Sequence, residues 1–316
     1  MTKIDIKWNN NLKVIITDVD DTVAEIFKSA TDEVINELNK VLSEGKIIFF
    51  ISGQGIHNIY SRVISHLDKK YMKQVLVGHC NGSEIYQFDD NGDIVEEPIF
   101  SVCNLYSENL DKTKMKAVVN EILEHFSLIP LPPMPLEEFK LRSENKPNYI
   151  MLDNRNVQIS IDFVNTIDSC KFKNIDIENN ESRDIRQIVA KEAEKIIAKY
   201  DIPIESCIAG TCAIDFIYKG VEKGLPIRHL IKFGKEFKND LPNQISIGSE
   251  NEIEVWGDSF SGKNASDRKM SYALPKEIRS ISFREINEKI KDGYNVVEWN
   301  GEKRLNEGLL EFLFYR

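Results

Sequence analysis

The sequence predicts an α/β fold in which a parallel-sheet frame is interrupted by an inserted α+β segment. Three observations lead there. First, Val14–Ile16, IIFFI at 47–51 and QVLVGH at 74–79 are short and apolar, as strands buried on both faces are. Second, helical spacing separates these runs, and strand, helix, strand, helix, strand implies parallel pairing through right-handed crossovers. Third, the alternation changes character after about residue 86 and resumes after about 215.

Each element has its own signal. Residues 31–44 place Val34, Ile35, Leu38, Val41 and Leu42 at helical spacing, with Thr31 suited to the N-cap and Gly45 ending the run. A second helix is expected around 56–67. The Asn91-Gly92 pair between two short apolar stretches reads as a β-hairpin. The insert follows. It has a helix carrying Met115, Val118, Val119, Ile122 and Leu123, a Pro-rich loop at 128–135, and strands at NYIML and VQISIDFV. A second helix over 184–199 and a closing strand pair within 207–218 complete it. The frame resumes with the helical pattern Ile227, Leu230, Ile231, strands at 252–258, 279–283 and 294–299, and a terminal helix over 303–314.

Composition bounds the function. At 316 residues the chain exceeds the usual single-domain size, which predicts two domains. A net charge of −10 argues against a nucleic-acid binder, which carries a basic face, and aromatic residues are nowhere interleaved with basic ones. The five cysteines (Cys80, Cys103, Cys170, Cys207, Cys212) are scattered with no CxxC pair, so they read as reduced thiols and not as a zinc site. The five histidines lack metal-binding spacing. No apolar stretch approaches membrane-spanning length and the N-terminus has no signal-peptide core, so a cytoplasmic protein without a membrane partner is expected. Oligomeric state is not readable.

The chemistry-bearing residues fall at expected strand ends. Asp18 ends the first strand and Asp20 follows two residues on, at the carboxyl edge where ligands of α/β sheets sit. Asp18, Asp20 and Asp21 repel one another, and a divalent cation such as Mg2+, which prefers oxygen ligands, would offset that. An acidic turn after a strand is also common. Ser52 and Gly53 leave the second strand just before a helix, where the hydroxyl either caps the helix or holds a phosphate oxygen. Lys223 precedes a helix and is either a surface lysine or an ammonium beside a phosphate. Asp258 leaves a later strand, and Asp267 follows nine residues on.

Taken in order, DVDDT (18–22), ISG (51–53), VEKG (221–224) and WGDSFSGKNASD (256–267) resemble the four motifs of haloacid dehalogenase superfamily phosphatases. The resemblance covers nearly the whole chain. The insert resembles the C2-type cap of that superfamily in its C2B form, carried by Cof-type sugar phosphatases, sucrose-phosphate phosphatase and eukaryotic-type phosphomannomutase. Two departures stand out: Asp21 occupies a position where members often carry Gly, and the stretch after Asp258 is longer than the common motif.

The resemblance implies a Rossmann-like core at 1–85 and 216–316, with an inserted cap at 86–215 that sets substrate specificity. It implies a Mg2+-dependent phosphatase acting on a small phosphorylated metabolite, a sugar phosphate by preference. A phosphomutase and a catalytically idle sugar-phosphate binder are the alternatives. Asp18 would be the nucleophile that forms an aspartyl-phosphate, and Asp20 the general acid and base. Ser52, Gly53 and Lys223 would hold the phosphate. Mg2+ would be held by Asp18, the Asp20 carbonyl and Asp258, with Asp267 orienting a metal water and Asn264 its competitor. Asp215, Arg183 and Arg186 are weaker candidates for substrate contacts from the insert.

Overall fold

The computed structural model describes residues 6–26, 28–105, 112–146, 148–163, 185–209, 212–233, 245–262, 265–288, 290 and 293–316. Two compact units result, one from 1–101 with 221–316 and the other from 102–220.

The first unit opens with β1 (Val14–Asp18), α1 (Asp32–Ser43), β2 (Ile47–Ile51), α2 (Ile56–Arg62) and β3 (Val75–His79). Thr31 caps α1 as its sequence position suggests, its hydroxyl accepting the Val34 amide at 3.4 Å. Two short strands follow, β4 (Glu84–Gln87) and β5 (Phe100–Ser101). The expected hairpin at Asn91-Gly92 has one regular arm, β4; the other makes a single antiparallel bridge, Phe88 to Ile94. Asp89 explains this. Its Oδ1 accepts the amides of Asn91 and Asp93 at 2.8 and 2.9 Å, bonds that a regular ladder would not leave free.

The second unit contains α3 (Lys112–His125), β6 (Ile129–Leu131), α4 (Leu136–Ser143), β7 (Tyr149–Asn154) and β8 (Gln158–Asp162). It closes with α5 (Ile185–Tyr200), β9 (Ile204–Ala209) and β10 (Ala213–Tyr218). Its sheet has the order β6-β7-β8-β10-β9 and is antiparallel apart from β6 with β7.

The chain then returns to the first unit. It adds α6 (Gly224–Leu230), β11 (Ile231–Phe233), β12 (Ile245–Ile247), β13 (Ile253–Gly257), α7 (Arg268–Tyr272), β14 (Ser280–Ser282), β15 (Val296–Glu298) and α8 (Leu305–Phe314). The large sheet runs β15-β14-β13-β1-β2-β3-β4-β5. Its members are parallel from β15 to β3, while β4 and β5 are antiparallel additions at one edge.

Because side chains alternate along a strand, each central strand feeds two cores. Ile15, Phe50 and Trp256 face α1, α2 and α8, whereas Ile16, Phe49 and Val255 face α6 and α7. All are fully buried, so the sheet is a middle layer. The units divide at 101/102 and 220/221, whereas the sequence expectation put the insert at 86–215. At the first crossing the difference arises because β4 and β5 extend the large sheet. At the second, β10 runs on to Tyr218 in the smaller one.

Candidate active site

β1 lies between β2 and β13, and every strand of this parallel set runs in the same direction. Their carboxyl ends therefore open on one edge. Asp18 is the last residue of β1, Ser52 follows β2 and Asp258 follows β13. Lys223 and Asp267 immediately precede α6 and α7.

Asp18, Asp258 and Asp267 each offer a carboxylate oxygen, and these atoms lie within 4.8 Å of one another. All three residues are buried. Lys223 Nζ bridges two of them, at 2.5 Å from Asp18 Oδ1 and 2.7 Å from Asp267 Oδ1. Burial works against the Lys223 charge, but the two carboxylates outweigh it and raise its pKa. Asp18 stands well above the usual carboxylate range. Burial is the main cause; Lys223 pulls it down while Asp267, Asp258 and Asp20 push it up. Asp258 is raised to about 7 by burial and by Asp267, with Arg284 and Lys223 opposing.

Asp267 has both oxygens engaged. Oδ2 accepts the backbone amides of Asp258 and Ser259 at 3.0 and 2.9 Å, while Oδ1 takes Lys223. Gly257 makes room for this, since a Cβ there would lie 2.4 Å from Asp267 Oδ2. Asp267 thus fixes both the loop that presents Asp258 and the ammonium beside Asp18.

Asp20 is turned to another set of partners. Its Oδ1 accepts from Arg62 Nη1 at 2.7 Å and Gln54 Nε2 at 2.8 Å, and its Oδ2 from Ser52 Oγ at 3.0 Å. The Ser52 hydroxyl also accepts the Gln54 amide at 3.1 Å. Ser52 therefore ties down the Gln54 amide in its own loop and also holds Asp20, but it does not cap α2, whose N-cap is Gly55 with no side-chain bond. Gly53 lies against Asn81, where a Cβ would be 3.3 Å from the side-chain oxygen. Thr22 Oγ1 donates to Asp18 Oδ2 at 3.4 Å.

The structure thus brings Asp18, Asp20, Ser52, Gly53, Lys223, Asp258 and Asp267 to one strand edge. Asn264 lies outside the described residues, as do Arg183 and Cys170. The other weaker candidates belong to the second unit: Asp215 on β10 accepts from Ser160 Oγ at 2.6 Å, and Arg186 donates to the Ala209 carbonyl at 3.2 Å. Three site residues were missed: Gln54, Arg62 and Arg284. Arg62 had a signal, since it sits three residues after Ile59 on the buried stripe of α2, where an arginine needs a partner. Gln54 had only its place beside Ser52. Arg284, paired with Asp258 and Asp21, had none.

No protein-family model and no curated protein sequence matches the chain. Solved structures do. A haloacid dehalogenase-like hydrolase from Bacteroides thetaiotaomicron aligns over 96% of this chain and 98% of its own, at 13% identity and a TM-score of 0.58. The trehalose-6-phosphate phosphatase C-terminal domain of C. albicans covers 96% of this chain and 91% of its own, at 13% identity and a TM-score of 0.56. The N-terminally truncated, IMP-bound IMP-nucleotidase of Plasmodium falciparum covers 96% and 68%, at 10% identity and a TM-score of 0.50. With its parallel sheet, its second α+β unit and its carboxylates at the strand ends, the chain has the fold of the haloacid dehalogenase-like hydrolases.

Proposed function

We propose that the protein is a phosphatase that hydrolyses a small phosphorylated metabolite through an aspartyl-phosphate on Asp18. One observation carries the reading: Asp18 ends β1 with a buried ammonium 2.5 Å from its Oδ1 and with Asp20, held by three donors, two residues on. Lys223 favours the charged form of Asp18 against the burial that raises it, and can neutralise phosphoryl oxygens that arrive beside it. The aligned structures support the substrate class, since two of them are described as a trehalose-6-phosphate phosphatase and an IMP-nucleotidase. A sugar phosphate is the preferred candidate.

The donor set fits a hard divalent cation. It consists of oxygens only, and burial, together with repulsion from the neighbouring carboxylates, raises Asp18 and Asp258. Asp18, Asp258 and the Asp20 carbonyl would hold Mg2+, with Asp267 one step removed because Lys223 and two amides already engage its oxygens. Such an ion supplies charge neutralisation for the transferring phosphoryl group.

In the transfer, an Asp18 oxygen attacks phosphorus and the bond to the leaving oxygen breaks. Asp20 delivers a proton to that oxygen, then takes one from the water that releases phosphate. The test is phosphate release across a panel of phosphorylated metabolites with Mg2+. Turnover of at least one sugar phosphate is expected, lost on chelation and in Asp18→Asn. Conversion of glucose 1-phosphate to glucose 6-phosphate without free phosphate would instead establish a mutase, and native-like turnover by Asp18→Asn would refute the nucleophile.

A further inference from the structure

Arg284 reaches the site from the segment after β14, which is anchored by Ser282 Oγ donating to the Arg284 carbonyl at 2.7 Å and by the Phe283 amide on the Gly257 carbonyl at 2.8 Å. Its Nη2 lies 2.7 Å from Asp258 Oδ2 and 3.0 Å from Asp21 Oδ2. These carboxylates belong to different segments, one following β13 and the other following β1. The guanidinium therefore spans the two strand ends whose oxygens would hold a cation, and it engages one of those oxygens directly.

Its surroundings differ from those of Lys223. The Lys223 side chain is 6% exposed and the Arg284 side chain 51%. A half-exposed guanidinium can return to water cheaply, because ion pairs open to solvent are weak. Asp21, by contrast, is fixed. Its backbone sits in the left-handed region at φ 58°, and its Oδ1 accepts the Ile26 amide at 3.2 Å. Asp21 stays in place if Asp258 turns to another partner.

The charges point the same way. Asp18, Asp20, Asp21, Asp258 and Asp267 face three cations, Lys223, Arg62 and Arg284. Negative charge is left over even with Arg284 in place. Without it, Asp258 would lose its nearest counter-charge.

Resting on the cation reading above, we propose that Arg284 is a positioning residue for the cation site. It pairs with Asp258, competes with a divalent ion for that carboxylate, and remains tethered at Asp21 when the ion takes it. Asp21 is its mooring.

The test uses the full chain and two measurements independent of turnover. Mn2+ binding by electron paramagnetic resonance is compared between the native protein and Arg284→Gln. Modification of Arg284 by phenylglyoxal in the native protein is followed by mass spectrometry with and without Mn2+. Arg284→Gln should bind Mn2+ about tenfold more tightly, since a competing positive charge has gone. Mn2+ should accelerate labelling of Arg284 several-fold. Equal or weaker Mn2+ binding by the variant, or labelling that Mn2+ leaves unchanged or slows, would overturn the proposal alone. If neither protein bound Mn2+, the cation reading itself would fall with it. The labelling arm needs no variant, so a misfolded Arg284→Gln would still leave a decisive result.

Discussion

Lys223 faces Asp18 and Asp267 at 2.5 and 2.7 Å with almost no water around it. Removing it would leave carboxylates buried without their counter-charge, the situation in which a broken ion pair costs most. Lys223→Ala should lose about 3–5 kcal/mol of unfolding free energy at neutral pH, read from urea melts. The deficit should shrink as pH falls, because Asp18, raised by burial and no longer lowered by Lys223, then takes a proton and sheds the unpaired charge. A deficit that held constant with pH would mean that lost packing, not charge, is responsible. Residues of this kind were legible because they sit beside strand ends with local punctuation, such as Asp18 after Val14–Thr17 or Gly257 before Asp258. Arg62 signalled only that an arginine on a buried stripe needs a partner, and Arg284 signalled nothing. Their partners lie 42 and 263 residues away in sequence, and no local spacing encodes such a pairing.

At the end of β3 the chain makes a tight turn that supports the second motif. Cys80, Asn81 and Gly82 all have positive φ, and the amides of Cys80 and Asn81 donate to the carbonyls of Gln54 and Ser52 at 2.9 Å. The turn is anchored by His79, whose Nε2 lies 3.0 Å from Glu84 Oε2 on β4 and whose Nδ1 lies 3.0 Å from Cys80 Sγ. Burial works against a charged ring here, but Cys80 and Glu84 outweigh it and lift His79 to about 9. A histidine lifted in the folded state adds stability that is complete below its unfolded value near 6.5 and is lost as pH rises through about 9. His79→Gln should therefore cost most below pH 6.5, on the order of a few kcal/mol, with the melting curves of the two proteins converging above pH 9. Constant separation across that range would argue that the ring acts by shape alone. Long periodic elements such as α1 and α5 were readable from the sequence. β5, β6, β11 and β12 were not, because two or three residues carry no period and are strands only by virtue of their neighbours.

Across the whole molecule, every residue assigned here to phosphoryl transfer belongs to the unit formed by 1–101 and 221–316. We propose that substrate selection falls to the unit at 102–220, so replacing those residues by the equivalent unit of a relative should change which metabolite is preferred. Dependence on Asp18 and on a divalent cation should persist. A folded chimera with the parent's substrate ranking would count against this division. Sequence reading found the insert because strand–helix alternation stops there, yet missed its first boundary because β4 and β5, although antiparallel, join the large sheet. Among the described residues no helix is long and apolar enough to cross a membrane. The place of β1 in that sheet also shapes how the chain reaches its fold. β1 pairs with β2 at once, but its other edge waits for β13, with Val14 opposite Ile253. During synthesis that apolar edge stays open until the entire intervening chain has emerged, at roughly 5–20 residues per second. For that interval the nascent chain displays an unpaired strand of the sort that invites association with other chains. Folding must then close a very long loop before its most central pairing forms, which makes it slow and favours a chaperone-guarded start.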